Sequence, residues 1–366
     1  MSNNFSESSD LWHILELAKW APSGDNGQPW RIVPLSGHEF YLDLVGLQQN
    51  VFNLLPMPNM VTMGMFLENA TIAAQDLGYD LEWSVEEGTR IDVKIFKQTS
   101  PSQVEKKPLN NYIKKRSVNR YRYKLKKILD DVRTDLRSVL DDDMQIFWLE
   151  GFSDRWTIAK MLYLFTWIRL RLPDVHDIHR EVIDWSKGDS PDKMPRGSLG
   201  ANPVSVAMME WVSANKGRHD FLLKMPGATL GFQMELDLIP ALFCSGHFIM
   251  CFDAQKTPEP TTADYIRGGQ AMQRFWLSLT SHHMVMQPWY LPLMFSKYIQ
   301  KDIAFSNHSK IIDRTQKVHD SFVFDILAPL GLHLDHVFFT GRAGYPVKTN
   351  IKRSVRKDLK ELIIQE

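Results

Sequence analysis

The 366-residue sequence predicts an α+β fold built from two related halves. Three observations point there. Runs with helical period alternate with extended runs along the chain, and the early extended runs come as adjacent pairs. A long helix containing a similar glycine-led stretch occurs twice, with "GMFLENATIAAQDLG" from Gly64 and "GQAMQRFWLSLTSHH" from Gly269. A composition of 44% hydrophobic and 23% charged residues belongs to a globular chain, long enough for two domains or one large fused unit.

The elements follow in order. "SSDLWHILELAKWAP" reads as a helix: Leu11, Ile14, Leu15 and Ala18 recur at helical spacing, Ser8 to Asp10 offer N-caps, and Pro22 closes it. "QPWRIVPL" and "EFYLDLVG" read as strands joined by a Ser-Gly turn at 36–37. "NMVTMGMFLENATIAAQDLGYD" is a long helix ended by Gly78 as its C′ residue, and "LEWSVE" and "RIDVKIF" form a second strand pair. From Pro108 the pattern starts again, which divides the chain into halves at 1–107 and 108–366. The second half holds the helix "KILDDVRTDLRSVL", the strand "MQIFWLE" and a helical insertion over about 151–258. That insertion is broken by "SKGDSPDKMPRGSLGANP", which reads as a mobile surface loop. "IPALFCSGHFIMCFDA" reads as a buried strand, "TTADYIRGGQAMQRFWLSLTSHH" as a helix capped at Thr262 or Asp264, "HVFFTGRAGYP" as a late strand and "SVRKDLKELI" as a terminal helix.

In the two glycine-led helices Leu67 matches Met272 and Glu68 matches Gln273, and each helix is followed by a short extended segment. A helix–strand unit present twice suggests two half-domains about a pseudo-twofold axis. Any two buried helices can be aligned this loosely, so a chance likeness stands beside duplication.

Composition also excludes function classes. Basic and acidic residues balance at 43 each, which gives no general attraction for nucleic acid. No basic leader precedes an apolar run at the N-terminus, and no run nears the roughly 18 apolar residues of a membrane span. A cytoplasmic protein without a membrane or nucleic-acid partner is therefore expected. Cys244 and Cys251, the two cysteines, are expected reduced, one on each face of a strand. His176 and His179, with Asp174 and Asp177, could place ligands on one helical face, but no second cluster completes a metal site; a polar surface helix is the reading preferred, and no metal is expected. The adjacent His282 and His283 cannot face one ligand. No phosphate-binding glycine fingerprint and no serine nucleophile elbow is present.

Three segments carry candidate chemistry. "APSGDNGQPWRI" holds more turn-formers than a connector needs, together with Asn26, Gln28, Trp30 and Arg31, which could touch a flat polar ligand. The plain alternative is a turn between a helix and a strand. "KKRSVNRYRYK" places six basic residues around a serine, so Arg116, Ser117 and Arg120 could cradle a small anion. "NIKRSVRKDLKEL" puts Arg353, Arg356 and Lys357 in the first turns of the expected terminal helix, where cations oppose the helix dipole unless an anion lies between them. Solvated surface or nucleic-acid contact are the alternatives for both clusters. A phosphate-bearing cofactor suits two small clusters on a neutral chain better.

Taken together, "APSGDNGQPW", "MGMFLENATIAAQDLGY", "IKKRSVNRYRY", "GGQAMQRFWLSLTSHHMVMQP" and "GYPVKTNIKRSVRKDL" resemble, in order and over nearly the whole chain, the motifs of the nitroreductase-like flavoprotein superfamily. The likeness is to its fused single-chain branch, typified by the mycobacterial Acg protein and the nitroreductase halves attached to ThiF-like domains. The resemblance implies mixed central sheets wrapped by helices, a pseudo-dimer on one chain, and FMN at the interface between halves. It implies that Pro22, Ser23, Asn26 and Gln28 line the isoalloxazine ring across that interface. Arg116, Ser117 and Arg120 would hold the phosphate and ribityl chain, and Arg353 or Arg356 would add a phosphate contact. The backbone around Gln287, Pro288, Trp289 and Tyr290 would approach flavin N5, with Gln287 and Trp289 among the cofactor contacts. No side chain need act as catalytic acid or base. Arm and tail each occur once, so one FMN per chain is expected, in a protein able to function as a monomer. The function implied is FMN-dependent oxidoreduction of a small molecule by hydride transfer through N5, with NADPH or NADH as a possible donor. The alternative is a flavin-binding or flavin-sequestering protein with little turnover. In either case the loop 187–203 could be a lid over the flavin.

Overall fold

A computed structural model describes residues 6–45, 50–85, 90–99, 108–186 and 188–364. The boundary expected at 107/108 adjoins residues 100–107, outside the described residues. The chain opens on α1 (Asp10–Ala18), where Ser9 Oγ caps the helix by accepting from Trp12 N at 3.2 Å. Leu11, Ile14 and Leu15 are buried on one face, and each such side chain contributes about 1.5–3 kcal/mol of apolar transfer. β1 (Trp30–Pro34) and β2 (Glu39–Leu44) form a hairpin. α2 (Met57–Asp76) follows, then β3 (Tyr79–Val85) and β4 (Ile91–Lys97). Gly78, at φ +79°, takes the left-handed position past the end of α2, where a side chain would be strained.

The short α3 (Asn110–Ile113) leads into the second half. There α4 (Asp130–Ser138) and β5 (Met144–Leu149) precede the insertion: α5 (Phe152–Arg169), α6 (Val175–Val182), β6 (Ile183–Asp184), β7 (Met194–Pro195), α7 (Pro203–Ser213), α8 (Lys216–Lys224), α9 (Leu230–Gln233) and α10 (Ile239–Leu242). The chain then resumes with β8 (Gly246–Phe252), α11 (Thr262–Ser281), β9 (Val285–Pro288), α12 (Tyr290–Gln300), α13 (Ser309–Asp320), β10 (Val337–Gly344) and α14 (Leu359–Leu362).

Two four-stranded sheets result, ordered β1-β2-β4-β3 and β5-β8-β10-β9. Each places its first, second, fourth and third strand side by side, and each carries its long helix between the second and third strand. Both are antiparallel throughout, not mixed as the resemblance implied. Among the described residues, parallel pairing is confined to β6–β7 and two single bridges, Ile32 with Ile363 and Val118 with Met286. One continuous core contains residues of both sheets with α2 and α11, and a second lies between α5, α12 and α13.

Several sequence expectations need correction. Ile239–Leu242 is helical, so the strand read from Ile239 starts at Gly246, and Cys244 lies before it. Cys244 and Cys251 are both free and buried. The cap of α11 is Thr261, whose side chain and that of Asp264 bond reciprocally to each other's backbone N–H. The terminal helix begins at Leu359, so Arg353, Arg356 and Lys357 precede it in non-helical chain. His176 is buried rather than on a polar surface, its ring 5.4 Å from that of His219. Among the described residues no three His, Cys, Asp or Glu side chains could hold a metal ion.

Burial in the second sheet gives the fold a pH dependence. His247 on β8 is 0% exposed and its Nε2 lies 2.9 Å from the Ala241 carbonyl, so Nε2 carries the proton and donates. Burial pushes its imidazole down to about 3, helped by Arg342 and Arg155 and opposed by the bond to Ala241. Below pH 6.5 the unfolded chain takes up a proton that the folded one refuses until near pH 3. Stability therefore falls as pH drops through that window, by about 2 kcal/mol from this group between pH 7 and 5. Urea unfolding at the two pH values should show this drop in the wild type, and His247→Gln should lose that share of it.

Candidate functional site

The site forms where three distant segments meet. The tail after β10 runs to the edge of the first sheet, where Ile363 pairs with Ile32 and Ile364 N donates to Ile32 O at 2.9 Å. The segment 116–123 runs along the edge of the second sheet, where Val118 pairs with Met286 and Asn119 N donates to Met286 O at 3.1 Å. Between them lies the loop joining α1 to β1. Together with the insertion they enclose a pocket of about 580 Å³, counting the space open at its mouth. Trp20, Pro22, Ser23, Asp25, Asn26, Arg116, Ser117, Arg120, Lys352, Arg353, Ser354 and Arg356 line it, with Val118, Met194 and Ser198.

Of the eleven residues named from sequence for cofactor binding, eight line this one pocket: Pro22, Ser23, Asn26, Arg116, Ser117, Arg120, Arg353 and Arg356. Gln28, Gln287 and Trp289 lie outside its lining. Gln28 Nε2 donates to Pro191 O (2.8 Å) and Asn26 O (2.9 Å), and its Oε1 accepts from Lys357 N (3.0 Å). It ties the loop to the tail and the insertion. Gln287 Oε1 accepts from Arg342 Nε (2.9 Å) and Nη2 (2.6 Å), across a strand pairing. Trp289 is buried edge-on against His247 and Phe322, with its backbone N donating to Thr340 O at 3.1 Å. Pro288 pairs with Gly341 in the sheet, and Tyr290 opens α12; neither lines the pocket. Trp30 is wholly buried in the core, and Arg31 Nη1 donates to the Trp30 carbonyl.

The pocket's charge is one-sided. Arg116 is 5% exposed, and its guanidinium lies 4.3 Å from the Trp276 ring centroid. Burial holds its pKa well below the usual arginine range, with Arg356 and Arg353 adding repulsion. Burial brings Arg356 down to about 10, and Arg353 repels it as well. Arg353 Nη2 donates to Arg116 O at 2.8 Å, and Arg356 Nη1 to Asn26 Oδ1 at 2.7 Å. Among the described residues none of the three guanidiniums has an ion pair, and the Nε of each lacks a hydrogen-bond partner. Arg116 is buried and Arg353 and Arg356 are half-buried beside it; like charges brought together out of water without a counter-ion are costly, which makes the cluster a candidate anion site. Ser117 and Ser354 add hydroxyls beside it. Asp25 is the one carboxylate in the lining, and its pKa is raised on balance, loss of water outweighing the pull of Arg120 and Arg169.

The loop's backbone is strained away from its glycines. Gly24 and Gly27 do not supply the left-handed positions; Asp25 (φ 51°), Asn26 (φ 64°) and Gln28 (φ 50°) do. Each costs on the order of 1 kcal/mol or more and needs holding in place. Asn26 is held from three sides: its Nδ2 lies 3.0 Å from Pro191 O, 3.3 Å from Lys193 O and 3.1 Å from Val355 O. The segment read as a surface loop therefore closes on the pocket. Arg120 Nη1 donates to Ser198 O (3.1 Å), and Asp189 pairs with Lys352 at 2.5 Å. Trp20, Asp25, Lys352 and Ser354 were not singled out from sequence, although each sits within or beside a motif that was. Met194 and Ser198 come from the insertion, and their approach rests on contacts with no local signal.

No family model and no curated protein matches the sequence. Among solved structures, a nitroreductase-like family protein from Bacillus cereus superposes at a TM-score of 0.32 with 10% identity, over 71% of this chain and 96% of that one. The FMN-dependent nitroreductase NfnB from Mycobacterium smegmatis, solved with NADPH, gives 0.34 and 13%, over 69% and 96%. At such scores the superpositions carry no argument about this chain.

Proposed function

We propose that the pocket holds the phosphate and ribityl chain of FMN, and that the protein is an FMN-dependent oxidoreductase of the nitroreductase-like kind. The observation that carries this reading is the cluster of buried Arg116 with half-buried Arg353 and Arg356, three guanidiniums without a carboxylate partner beside the hydroxyls of Ser117 and Ser354. FMN, when bound, supplies hydride chemistry that no side chain here could. The chain's own part is binding and shielding. Arg116, Arg353 and Arg356 neutralise the phosphate, Arg120 reaches along the pocket, and Pro22, Ser23 and Asn26 form the wall contributed by the first half. The shared strand order 1-2-4-3, with a long helix between the second and third strand of each sheet, supports an internal duplication, the two halves making one pseudo-dimer. Arm and tail occur once, so one flavin binds per chain.

A second reading, flavin sequestration with little turnover, is favoured by the insertion: Asn26, Gln28 and Arg120 tie residues 191–198 over the pocket. The absorption spectrum of purified protein, with FMN added where needed and then anaerobic NADPH or NADH, separates the readings. A flavin band at one per chain that bleaches within seconds is expected for a reductase. A band that stays oxidised with both donors favours sequestration. No binding of FMN would overturn both.

A further inference from the structure

The insertion carries a feature that the cofactor pocket does not use. α7 presents Val204, Met208 and Trp211 at positions i, i+4 and i+7, one face of the helix, at 74%, 42% and 48% exposure. α8 adds Phe221, 62% exposed, with Met225 a turn later, and has no buried residue of its own. Leu230 and Met234 continue the exposed apolar side chains into α9 and the turn after it. Surface helices of a globular protein normally turn such a stripe inward.

The exposed charges around it are mostly cationic. Over residues 203–234 the exposed cations are Lys216, Arg218 and Lys224, and the one exposed carboxylate is Asp220, which lies 3.2 Å from His219 Nδ1. Glu210, the other acid of the stretch, is taken by Arg196 at 2.5 Å. Arg218 sits 4.8 Å from the Trp211 ring centroid and donates to the Trp211 carbonyl at 3.2 Å, joining a cation to the aromatic residue of the stripe. At about 1.5 Å per residue, α7 and α8 are only about 16 and 14 Å long. No helix among the described residues is long and apolar enough to cross a membrane, so such a surface could only lie on one.

We propose that α7 and α8 together form a peripheral contact for an anionic lipid surface. Val204, Met208, Trp211, Phe221 and Met225 enter the acyl boundary, and Lys216, Arg218 and Lys224 meet the headgroups. Aromatic and apolar side chains flanked by exposed cations that outnumber the exposed acids are what that interface selects. This revises the expectation, drawn from the lack of a spanning segment, that the protein has no membrane partner. It does not depend on the flavin reading. It does touch the pocket, because α7 follows directly on residues 190–202 that close it, and Glu235 holds the junction through Asn202 N (2.5 Å) and Ser205 Oγ (2.6 Å).

The test uses the full-length protein with vesicles of phosphatidylcholine alone or mixed with phosphatidylglycerol. Flotation should recover protein with the phosphatidylglycerol vesicles and about tenfold less with phosphatidylcholine. Val204→Ser/Trp211→Ser/Phe221→Ser should lower recovery at least about tenfold. Lys216→Glu/Arg218→Glu/Lys224→Glu should abolish the preference for anionic vesicles. All six side chains are exposed, and an unchanged thermal melt will show that each variant is folded. Equal recovery with both vesicle types, no recovery, or binding that survives the serine variant would overturn the proposal. So would a dimer in solution that the serine variant dissociates, since a second copy would then cover the face.

Discussion

Replacing Arg116 with methionine is expected to weaken FMN binding while leaving the ligand-free protein as stable as before, or more so. The two effects have opposite signs because one charge plays opposite roles in the two states. Without an anion, Arg116 is buried, repelled by Arg353 and Arg356, and short of a partner at Nε. Methionine keeps the apolar stem against Trp276 and removes the desolvated charge. The loss of the cation–π contact offsets part of the gain, so ligand-free stability should change by zero to about +2 kcal/mol. With a phosphate present the same guanidinium makes charge-assisted bonds in a low-dielectric pocket. Its loss should cost about 2–4 kcal/mol, roughly 30- to 1,000-fold in Kd.

The measurement is a pair of titrations, FMN and riboflavin, beside a urea melt of the apoprotein. Riboflavin lacks the phosphate, so its affinity should be nearly the same for wild type and Arg116→Met. A variant that holds FMN as tightly as the wild type would show that the cluster serves something other than the cofactor's phosphate. A variant that loses FMN and riboflavin together and melts early would show that Arg116 supports the pocket's shape. Arg116→Lys keeps the charge but not the forked donors, and should fall between the two.

How much of this was visible in the residues depends on how local the cause is. The buried face of α1 and the end of α2 at Gly78 follow from spacing and from one backbone conformation, and both can be read along the chain. The cationic character of 114–124 and 352–357 is equally local. Their convergence is not: Arg116 and Arg353 are brought together by the Val118–Met286 and Ile32–Ile363 pairings, each at the edge of a different sheet. Gln287 shows the converse. Its place in a motif suggested a ligand contact, but Arg342, its strand partner 55 residues later, takes its side-chain oxygen. A strand's neighbour leaves no trace in the strand's own sequence. The left-handed loop residues illustrate a third limit. The loop holds two glycines, yet an aspartate, an asparagine and a glutamine take those positions, the last two held by the Pro191 carbonyl some 165 residues away.

Gly269→Ala is expected to destabilise the protein by about 3–5 kcal/mol, among the largest effects available to a single methyl group here. Gly64 and Gly269 meet at the crossing of α2 and α11, where their Cα atoms are neighbours. A Cβ on Gly269 would lie 2.1 Å from Val61 O, and one on Gly64 would lie 1.9 Å from Ile266 O. Those atoms are helix backbone, so the clash cannot be relieved by turning a side chain; the helices must separate. Separation would also break the pairs that flank the crossing, Asn69 with Gln273 at 2.7 Å and Glu68 with Arg274 at 2.8 Å, and the first of these is buried. Gly24→Ala is the control, since a Cβ there meets nothing within 4 Å and the φ is unremarkable. Urea unfolding of the three glycine variants should place Gly64→Ala and Gly269→Ala far below the wild type and Gly24→Ala near it. The glycine at the eighth position of each 20-residue helix is also the residue on which the two were matched in sequence. If both alanine variants lose comparable stability, the likeness has a steric cause: each half keeps its glycine because the other half's helix lies against it. A large loss at only one of them would make the crossing asymmetric and weaken the case that the halves share an origin.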